Sequence, residues 1–294
     1  MLQPSLDEFA AEVGVTGPVT VLGAGTRGGR PTGDERVVSA PSGIVRVDAA
    51  EMVIECGAGT PVADVQAALA EVGQTVSLPP GGTVGGALAV GRSDITRLGH
   101  GAMRDVLLRT RYVSAAGHVI TAGGATVKNV SGFDLCRLLV GSRGTLGFFG
   151  DLLLRTRPLA PDSRWFRTDA DPFELLAEIY RPVSILWNGS TTWVRVDGDS
   201  DDLDAAAARH GLEPADGPPD LPSAYRWSLP PAALPSLSSR GAGEFVAEVG
   251  VGVVHHTEPQ SDRVVDQATR TLHDRLRSEF DPAHRLNPGV DPLA

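Results

Sequence analysis

An α+β fold in two parts is what this sequence predicts, and three observations predict it. Short runs of branched residues closed by glycine recur from Pro18 to Pro158, the pattern of strands punctuated by turns. Helix-like segments interrupt them without the regular strand–helix–strand alternation of a doubly wound sheet. At 294 residues the chain exceeds the usual domain size of ~100–200 residues, and its character changes after Pro158.

Taken in order, "PVTVLG" (18–23), "IVRVD" (44–48) and "MVIECG" (52–57) read as strands. "TPVADVQAALAEVG" reads as a helix, with Thr60 as N-cap, Pro61 at the first helical position, Val62, Val65, Leu69 and Val72 on one face, and Gly73 closing it. "DVLLRTRYVSAAGHVITAGG" reads as a hairpin that turns at Ala116-Gly117. Beyond Pro158 the strand signals weaken to "VSILWN" and "TTWVRV", beside the acidic run "DGDSDDLD" (197–204). A helix returns in "SDRVVDQATRTLHDRLRSEFD", with Ser261 as cap and Val265, Ala268, Leu272 and Leu276 expected to face inward. The expected division is residues 1–160, a reduced second domain over 161–260, and a helix and tail over 261–294 that rejoin the first domain.

Composition narrows the function. A net charge of -10 argues against nucleic acid as a partner, because phosphate neutralisation needs clustered Lys and Arg. No run approaches the ~20 apolar residues of a membrane span. The opening "MLQPSLDEFAAEVG" carries acids where a secretory signal carries basic and apolar residues, so a cytoplasmic location is expected. Cys56 and Cys136 have neither metal spacing nor a disulfide framework, so core thiols and no metal site are expected.

Three glycine-rich loops stand out in the first half. "LGAGTRGGR" (22–30) follows a strand like a dinucleotide fingerprint, yet Pro31, Gly33, Asp34 and Glu35 follow where an apolar helix must open, so that reading fails. The others are "SLPPGGTVGGALAVGRSD" (77–94) and "GGATVKNVSGFDLCRLLVGSRGTLG" (123–147). Each alone is equally a turn between strands. Together they concentrate bare amides of the kind that hold an anion.

The ordered set "LGAGTRGG", "CGAGTPVADVQAALAEVG", "PPGGTVGGALAVG", "GHGAMRDVLLRTRYVSAAGHVITAGG", "VKNVSGFDLCRLLVGSRGTLG" and "FDPAHRLNPG" resembles the PCMH-type, or vanillyl-alcohol-oxidase type, FAD-binding family, and within it the glycolate oxidase E-subunit branch. The resemblance spans about residues 15–160 and 261–290. It implies a two-subdomain flavin fold with a reduced cap. It implies FAD held by Gly23, Ala24, Gly25, Thr26 and Arg27 of the first loop and by Pro80, Gly81, Gly82, Thr83, Gly85 and Gly86 of the second. Gly101, Ala102 and Asp105 would continue the wall, "GSRGTLG" would form a strand against the cofactor, and Asn287 would turn back toward it. Thr26 and Gly81 stand near the His and Cys positions that attach FAD covalently in other members, so non-covalent FAD is expected. On this reading Gly82 and Gly85 tolerate a bulky residue with little loss of fold while losing FAD.

The resemblance also implies partners: a D-like FAD-linked oxidase subunit, an iron–sulfur subunit, a small 2-hydroxy-acid substrate, and a peripheral place at the inner membrane through the complex. Candidate catalytic groups are His255, His256, His100 and Arg104, each with a structural alternative; as neighbours on a strand, at most one of His255 and His256 can face a flavin. A stand-alone FAD-dependent alcohol oxidoreductase and a flavin-fold scaffold without turnover remain the competing readings.

Overall fold

The computed structural model describes residues 5–28, 31, 33–124, 134–239, 243–260 and 265–293. In chain order its elements begin with α1 (Leu6–Val13), β1 (Val19–Val21), β2 (Arg36–Val38), β3 (Ile44–Asp48), β4 (Val53–Gly57), α2 (Val62–Ala70), β5 (Gln74–Thr75) and α3 (Val84–Val90). Next come α4 (Arg97–His100), β6 (Leu107–Val113), β7 (Val119–Gly123), α5 (Leu135–Leu139), β8 (Phe148–Arg155), β9 (Arg157–Pro158) and β10 (Asp162–Thr168). The rest are α6 (Pro172–Glu178), β11 (Ser184–Trp187), β12 (Thr192–Gly198), α7 (Ser200–His210), β13 (Glu213–Ala215), β14 (Tyr225–Ser228), β15 (Phe245–Glu248), β16 (Val253–His256) and α8 (Gln267–Phe280). They form two compact units: Met1–Asp94, Ala102–Leu159 and Val265–Ala294 make the first, and Ile95–Gly101 with Ala160–Val264 make the second.

The first unit is built on an antiparallel sheet of order β3-β4-β8-β6-β7. One core of this unit joins Ile54, Leu152 and Leu154 of the sheet to Val65 and Leu69 of α2 and Leu88 of α3. Burying a side chain of this size contributes about 1.5–3 kcal/mol. Helix α2 begins one residue later than its cap signal suggests. Its N-cap is Pro61, because the Thr60 hydroxyl donates to Gly57 O at 2.6 Å and accepts from Gly43 N–H at 2.9 Å instead of turning to the helix. The β6–β7 hairpin turns where expected, with Ser114 and His118 hydrogen-bonded across Gly117 at a φ of +73°.

A second core of this unit lies where Phe9 and Val13 of α1 meet Val19, Val38, Phe148 and Leu286. Arg285, 5 % exposed, holds this corner. Its guanidinium donates to Val13 O at 2.6 Å, Gly17 O at 2.9 Å, Ala115 O at 3.0 Å and Thr16 O at 3.3 Å. Burial lowers its pKa, an effect opposed by the neighbouring Asp281 carboxylate. Asp281 is itself fully buried and accepts Leu286 N–H at 2.7 Å.

Helix α8 departs from expectation. Asp266 caps it, through Thr269 N–H at 2.9 Å, and Ser261 lies outside the described residues. Leu272 is 59 % exposed and Ala268 is exposed, while the half-buried face runs through Arg270, His273, Leu276, Arg277 and Phe280. The apolar positions are too sparse to set the face, so the aliphatic stems of the arginines cover the unit instead.

The second unit is an antiparallel sheet of order β13-β10-β12-β11-β15-β16-β14. One face carries Phe166, Ile185, Trp187, Val194, Trp227 and Val254, which pack with Leu175 of α6 and Leu203 of α7. Ser163, Ser184, Arg195, Asp197, Arg226, Glu248 and His255 alternate onto the other face, as the pairings Ser184 with Arg195, Leu186 with Glu248 and Arg226 with His255 require.

Arg285→Met keeps the side-chain bulk and removes every donor, leaving buried carbonyls unsatisfied. Urea unfolding is expected to show a loss of about 3 kcal/mol, and an unchanged midpoint would show that the tail is held by apolar packing alone.

Candidate functional site

Strand β1 runs directly into the first glycine loop, and its edge is completed by the tail. Val19 N–H donates to Arg285 O at 2.9 Å, and Asn287 N–H donates to Val19 O at 2.9 Å. The Asn287 side chain accepts from Val21 N–H at 3.2 Å and donates to Arg143 O at 2.6 Å. Among the described residues the element that follows β1 is β2, not the helix a dinucleotide fingerprint opens.

Between this loop and α3 lies a cavity of about 340 Å³, lined by Gly23, Ala24, Ala58, Thr83, Gly86, Ala89, Phe148 and Asn287 among others. A continuation of about 120 Å³ shares Gly23, Thr83, Gly86, Ala89 and Asn287 and adds Gly25, Thr26, Arg27 and Arg143. Among the described residues neither lining contains a carboxylate, and the second contains Arg27 and Arg143. The first cavity is mainly apolar and the second cationic, a division that suits a flat ring system joined to a phosphate chain.

Glycine is required where the two loops meet. A Cβ on Gly23 would stand 2.7 Å from Thr83 Oγ1, and one on Gly85 would stand 2.7 Å from Ala58 Cβ and 2.8 Å from Ala58 O. Thr83 caps α3 by accepting Gly86 N–H at 3.2 Å. Val84 N–H donates to Thr60 O at 2.9 Å and Gly85 N–H to Ala58 O at 2.7 Å. The amides of Gly85 and Gly86 are therefore engaged within the protein, and these glycines contribute room where donors were expected. Unengaged donors sit in the first loop: the amides of Gly23, Ala24 and Gly25 have no acceptor among the described residues.

Arg27 ties the loops together. Its Nη2 donates to Pro79 O at 3.1 Å, Pro80 O at 3.0 Å and Gly81 O at 2.7 Å, and burial lowers its pKa. Its Nε is buried with no partner. Pro80, Gly81 and Gly82 accordingly do not line either cavity: the first two offer carbonyls to Arg27, and Gly82 O accepts Val62 N–H at 3.0 Å.

Several expected residues lie elsewhere. The 3₁₀ turn Met103–Asp105 buries Met103 and turns Arg104 and Asp105 outward, where Asp105 pairs with Arg137 at 2.6 Å. Ala102 caps that turn, and Gly101 is exposed in the segment that belongs to the second unit; none of these lines the groove. "GSRGTLG" is turn and bend, with β8 starting only at Phe148, and Arg143 in it is a lining cation the glycine spacing did not single out. Residues 125–133 of the third loop lie outside the described residues.

The three histidines belong to the second unit. His100 Nε2 is 3.2 Å from Asp197 Oδ2, and His255 Nε2 is 3.0 Å from Glu248 Oε1. His256, 3 % exposed, stacks on Trp227 with ring centres 3.9 Å apart and accepts Glu258 N–H at 2.8 Å through Nδ1. Its role is packing. The cysteines are both buried, and burial pushes Cys56 up to about 12 and Cys136 up to about 11.

A mixed sheet-and-helix unit whose glycine loops enclose an apolar cavity with an arginine-lined extension defines a flavin-nucleotide-binding fold. Residues 8–132 match the FAD binding domain family, and this chain belongs to the PCMH-type FAD-binding family, with FAD as its cofactor. It is 31 % identical over 230 residues to glycolate oxidase subunit GlcE of Escherichia coli, covering 73 % of this chain and 66 % of that one. It is 34 % identical over 178 residues to a D-lactate dehydrogenase of Archaeoglobus fulgidus, covering 58 % of this chain and 39 % of that one. Thus the chain spans just under two thirds of the first relative and well under half of the second. Among solved structures, alkyldihydroxyacetonephosphate synthase shares the fold at a TM-score of 0.71 and 14 % identity, covering 97 % of this chain and 74 % of that one.

The residues fit the cofactor. Unclaimed amides at Gly23–Gly25, the orphaned Arg27 Nε and Arg143 are donors for a diphosphate, which an acidic chain binds through local groups rather than net charge. Ala89→Leu adds a branched side chain to the lining from a helix that tolerates it. FAD occupancy is expected to fall at least about tenfold while the flavin-free chain loses no more than about 1–3 kcal/mol to overpacking. Gly85→Val is expected to prevent folding, since its Cβ meets Ala58 backbone. Flavin absorbance and denaturant unfolding of both variants check this; full occupancy in Ala89→Leu would place FAD elsewhere.

Proposed function

We propose that this chain is the non-covalent FAD-binding subunit of a complex that oxidises glycolate or another 2-hydroxy acid. The observation that carries the reading is the groove of the first unit, with its unclaimed first-loop amides and two arginines. Its similarity over most of its length to a protein named as a glycolate oxidase subunit supports the substrate class. Bound FAD supplies two-electron acceptor chemistry. The chain's own residues bind and orient it: the first loop and the arginines hold the diphosphate, Asn287 fixes the spacing of β1 and Arg143, and Ala58, Ala89 and Phe148 keep water from the apolar cavity.

The lining supports non-covalent attachment. Among the described residues no His or Cys lines either cavity, and burial keeps both thiols protonated at neutral pH. The same two buried cysteines offer no ligand set for a cluster, so electrons leave through other chains: a D-like flavoprotein and an iron–sulfur subunit. Attachment to the inner membrane would come through them, since among the described residues no helix is long and apolar enough to cross a membrane.

Acid precipitation is expected to release all flavin into the supernatant; colour in the pellet would show a covalent bond. Expressed with its genomic neighbours, the chain is expected to co-purify with a second flavoprotein and a cysteine-rich subunit. The complex then turns over glycolate or lactate with an artificial acceptor, and the isolated chain turns over neither. Turnover by the isolated chain would favour a stand-alone FAD-dependent oxidoreductase. A colourless chain would leave a scaffold.

A further inference from the structure

The acidic run of the second unit is only partly accounted for by its own fold. Asp197 is engaged by Arg195 at 3.1 Å and Asp204 by Arg164 at 2.7 Å. Asp202, in the first turn of α7, is exposed, and its carboxylate has no hydrogen-bond or ion-pair partner among the described residues. The same holds for the exposed Arg209 guanidinium in the last turn. Both line a cavity of about 430 Å³ beside α7, whose apolar walls include Ile179, Val196 and Leu203. Glu178 and His210, also in the lining, engage each other at 3.4 Å. Ala205 and Ala206 line the cavity between the two unclaimed charges. Positions 202, 205, 206 and 209 follow the i, i+3, i+4, i+7 spacing of one helical stripe. Along the axis that stripe runs acid, alanine, alanine, arginine, with its charges two turns, or about 10 Å, apart.

Such a stripe is complementary to itself reversed. A two-fold axis passing between Ala205 and Ala206 sets α7 antiparallel to the α7 of a second copy and brings each Asp202 to the other's Arg209. The two helix dipoles then lie antiparallel, each acidic end beside a basic one. Alanine at the crossing lets the helix axes approach to about 8 Å, the close end of the usual range. Tyr180 supplies the apolar contact. It lines the same cavity from the turn after α6 and is 84 % exposed, although its neighbours Ile179 and Val183 are buried. An aromatic ring held out by a turn that is already anchored loses little freedom on docking, and such rings anchor protein interfaces. We propose that α7 and the Tyr180 turn form a homodimer interface, the two copies related by a two-fold axis and each Tyr180 covering the cavity of the other. Any other partner needs the reversed order of charges on its own surface, and a second copy carries it already. The contact is isologous, so it closes at two chains. Helix α7 has 11 residues, which places the interface at the small end of the stable range and its dissociation constant on the order of 10 µM. The interface is independent of what the first unit binds.

Sedimentation velocity of the full chain over about 1–200 µM is expected to show a reversible monomer–dimer equilibrium. Asp202→Arg and Arg209→Asp each set like charges face to face and are expected to weaken the dimer at least about tenfold, while the two substitutions together restore it. Tyr180→Ser is expected to weaken it by about tenfold as well. Ala205→Cys reports the geometry directly. Lying beside the axis, it is expected to form an intermolecular disulfide under mild oxidation, whereas Val45→Cys, on exposed β3 of the first unit, is not. Cys56 and Cys136 are buried and do not compete. Each substituted position is exposed, and an unchanged urea midpoint checks that every variant is folded. A wild-type chain that stays monomeric at about 200 µM, single reversals that associate like wild type, or a double exchange that fails to rescue would overturn the interface. So would a chain that is monomeric alone and engages a different subunit through this face.

Discussion

Arg285 is the interaction on which the first unit depends. One guanidinium satisfies carbonyls from the end of α1, the turn before β1 and the β6–β7 hairpin, segments that no sheet ladder joins. Only a planar fork with donors on several edges can do this; a lysine ammonium has neither the span nor the geometry. Its backbone O takes Val19 N–H, so the same residue that closes the corner also aligns β1. Because β1 leads into the first glycine loop, the placement of Gly23–Gly25 is inherited from a contact with the tail. Burial that lowers the arginine pKa is the penalty for this arrangement, offset by Asp281 nearby.

The groove follows from a second constraint, the close approach of two loops that nowhere form regular structure together. Gly23 against Thr83 and Gly85 against Ala58 leave no room for a side chain, and Arg27 closes the junction through the Pro79–Gly81 carbonyls. The division of labour is clear from the hydrogen bonds. In the second loop the amides of Val84, Gly85 and Gly86 go to Thr60 O, Ala58 O and the Thr83 hydroxyl, while those of Gly23–Gly25 in the first loop are unclaimed among the described residues. A cofactor anion then meets donors whose positions are already fixed, so little conformational entropy is lost on binding.

Much of the first unit was legible because its signals are local. The spacing of Val62, Val65 and Leu69, all buried on α2, and the glycine stops after β1 and β4 each need only a dozen residues to interpret, while Val72, expected on the same face, lies beyond the end of α2 and is exposed. Asn287 was legible only through the resemblance of "NPG" to a family motif, since no local rule places a residue beside a strand 266 positions away. Arg285 and Arg143 were missed for the same reason: an arginine among arginines carries no mark of its partners until the fold brings them. The face of α8 was misread because apolar residues are few there and arginine stems cover as well as leucine does. Reading Gly82 and Gly85 as tolerant of bulk assumed that a loop glycine serves the ligand, whereas Gly85 serves Ala58. In the second unit short strands with half-buried faces blur the alternation, and Glu248, buried beside His255, sits in a run that reads as ordinary strand.

The tail that completes β1 has a consequence for how the molecule is made. Residues 285–287 leave the ribosome some 260 positions after the strand they flank, and the whole second unit is synthesised in between. Until then the edge of β1 is bare, and the loop that follows it has nothing to hold its spacing. Such non-local pairing is slow and exposes an unpaired edge to other chains in the meantime. The second unit is contiguous apart from Ile95–Gly101 and can collapse first, while the flavin pocket is among the last parts to close. Cofactor capture then waits for residues 285–287 to emerge, because only with them in place is the spacing of β1 and its loop set.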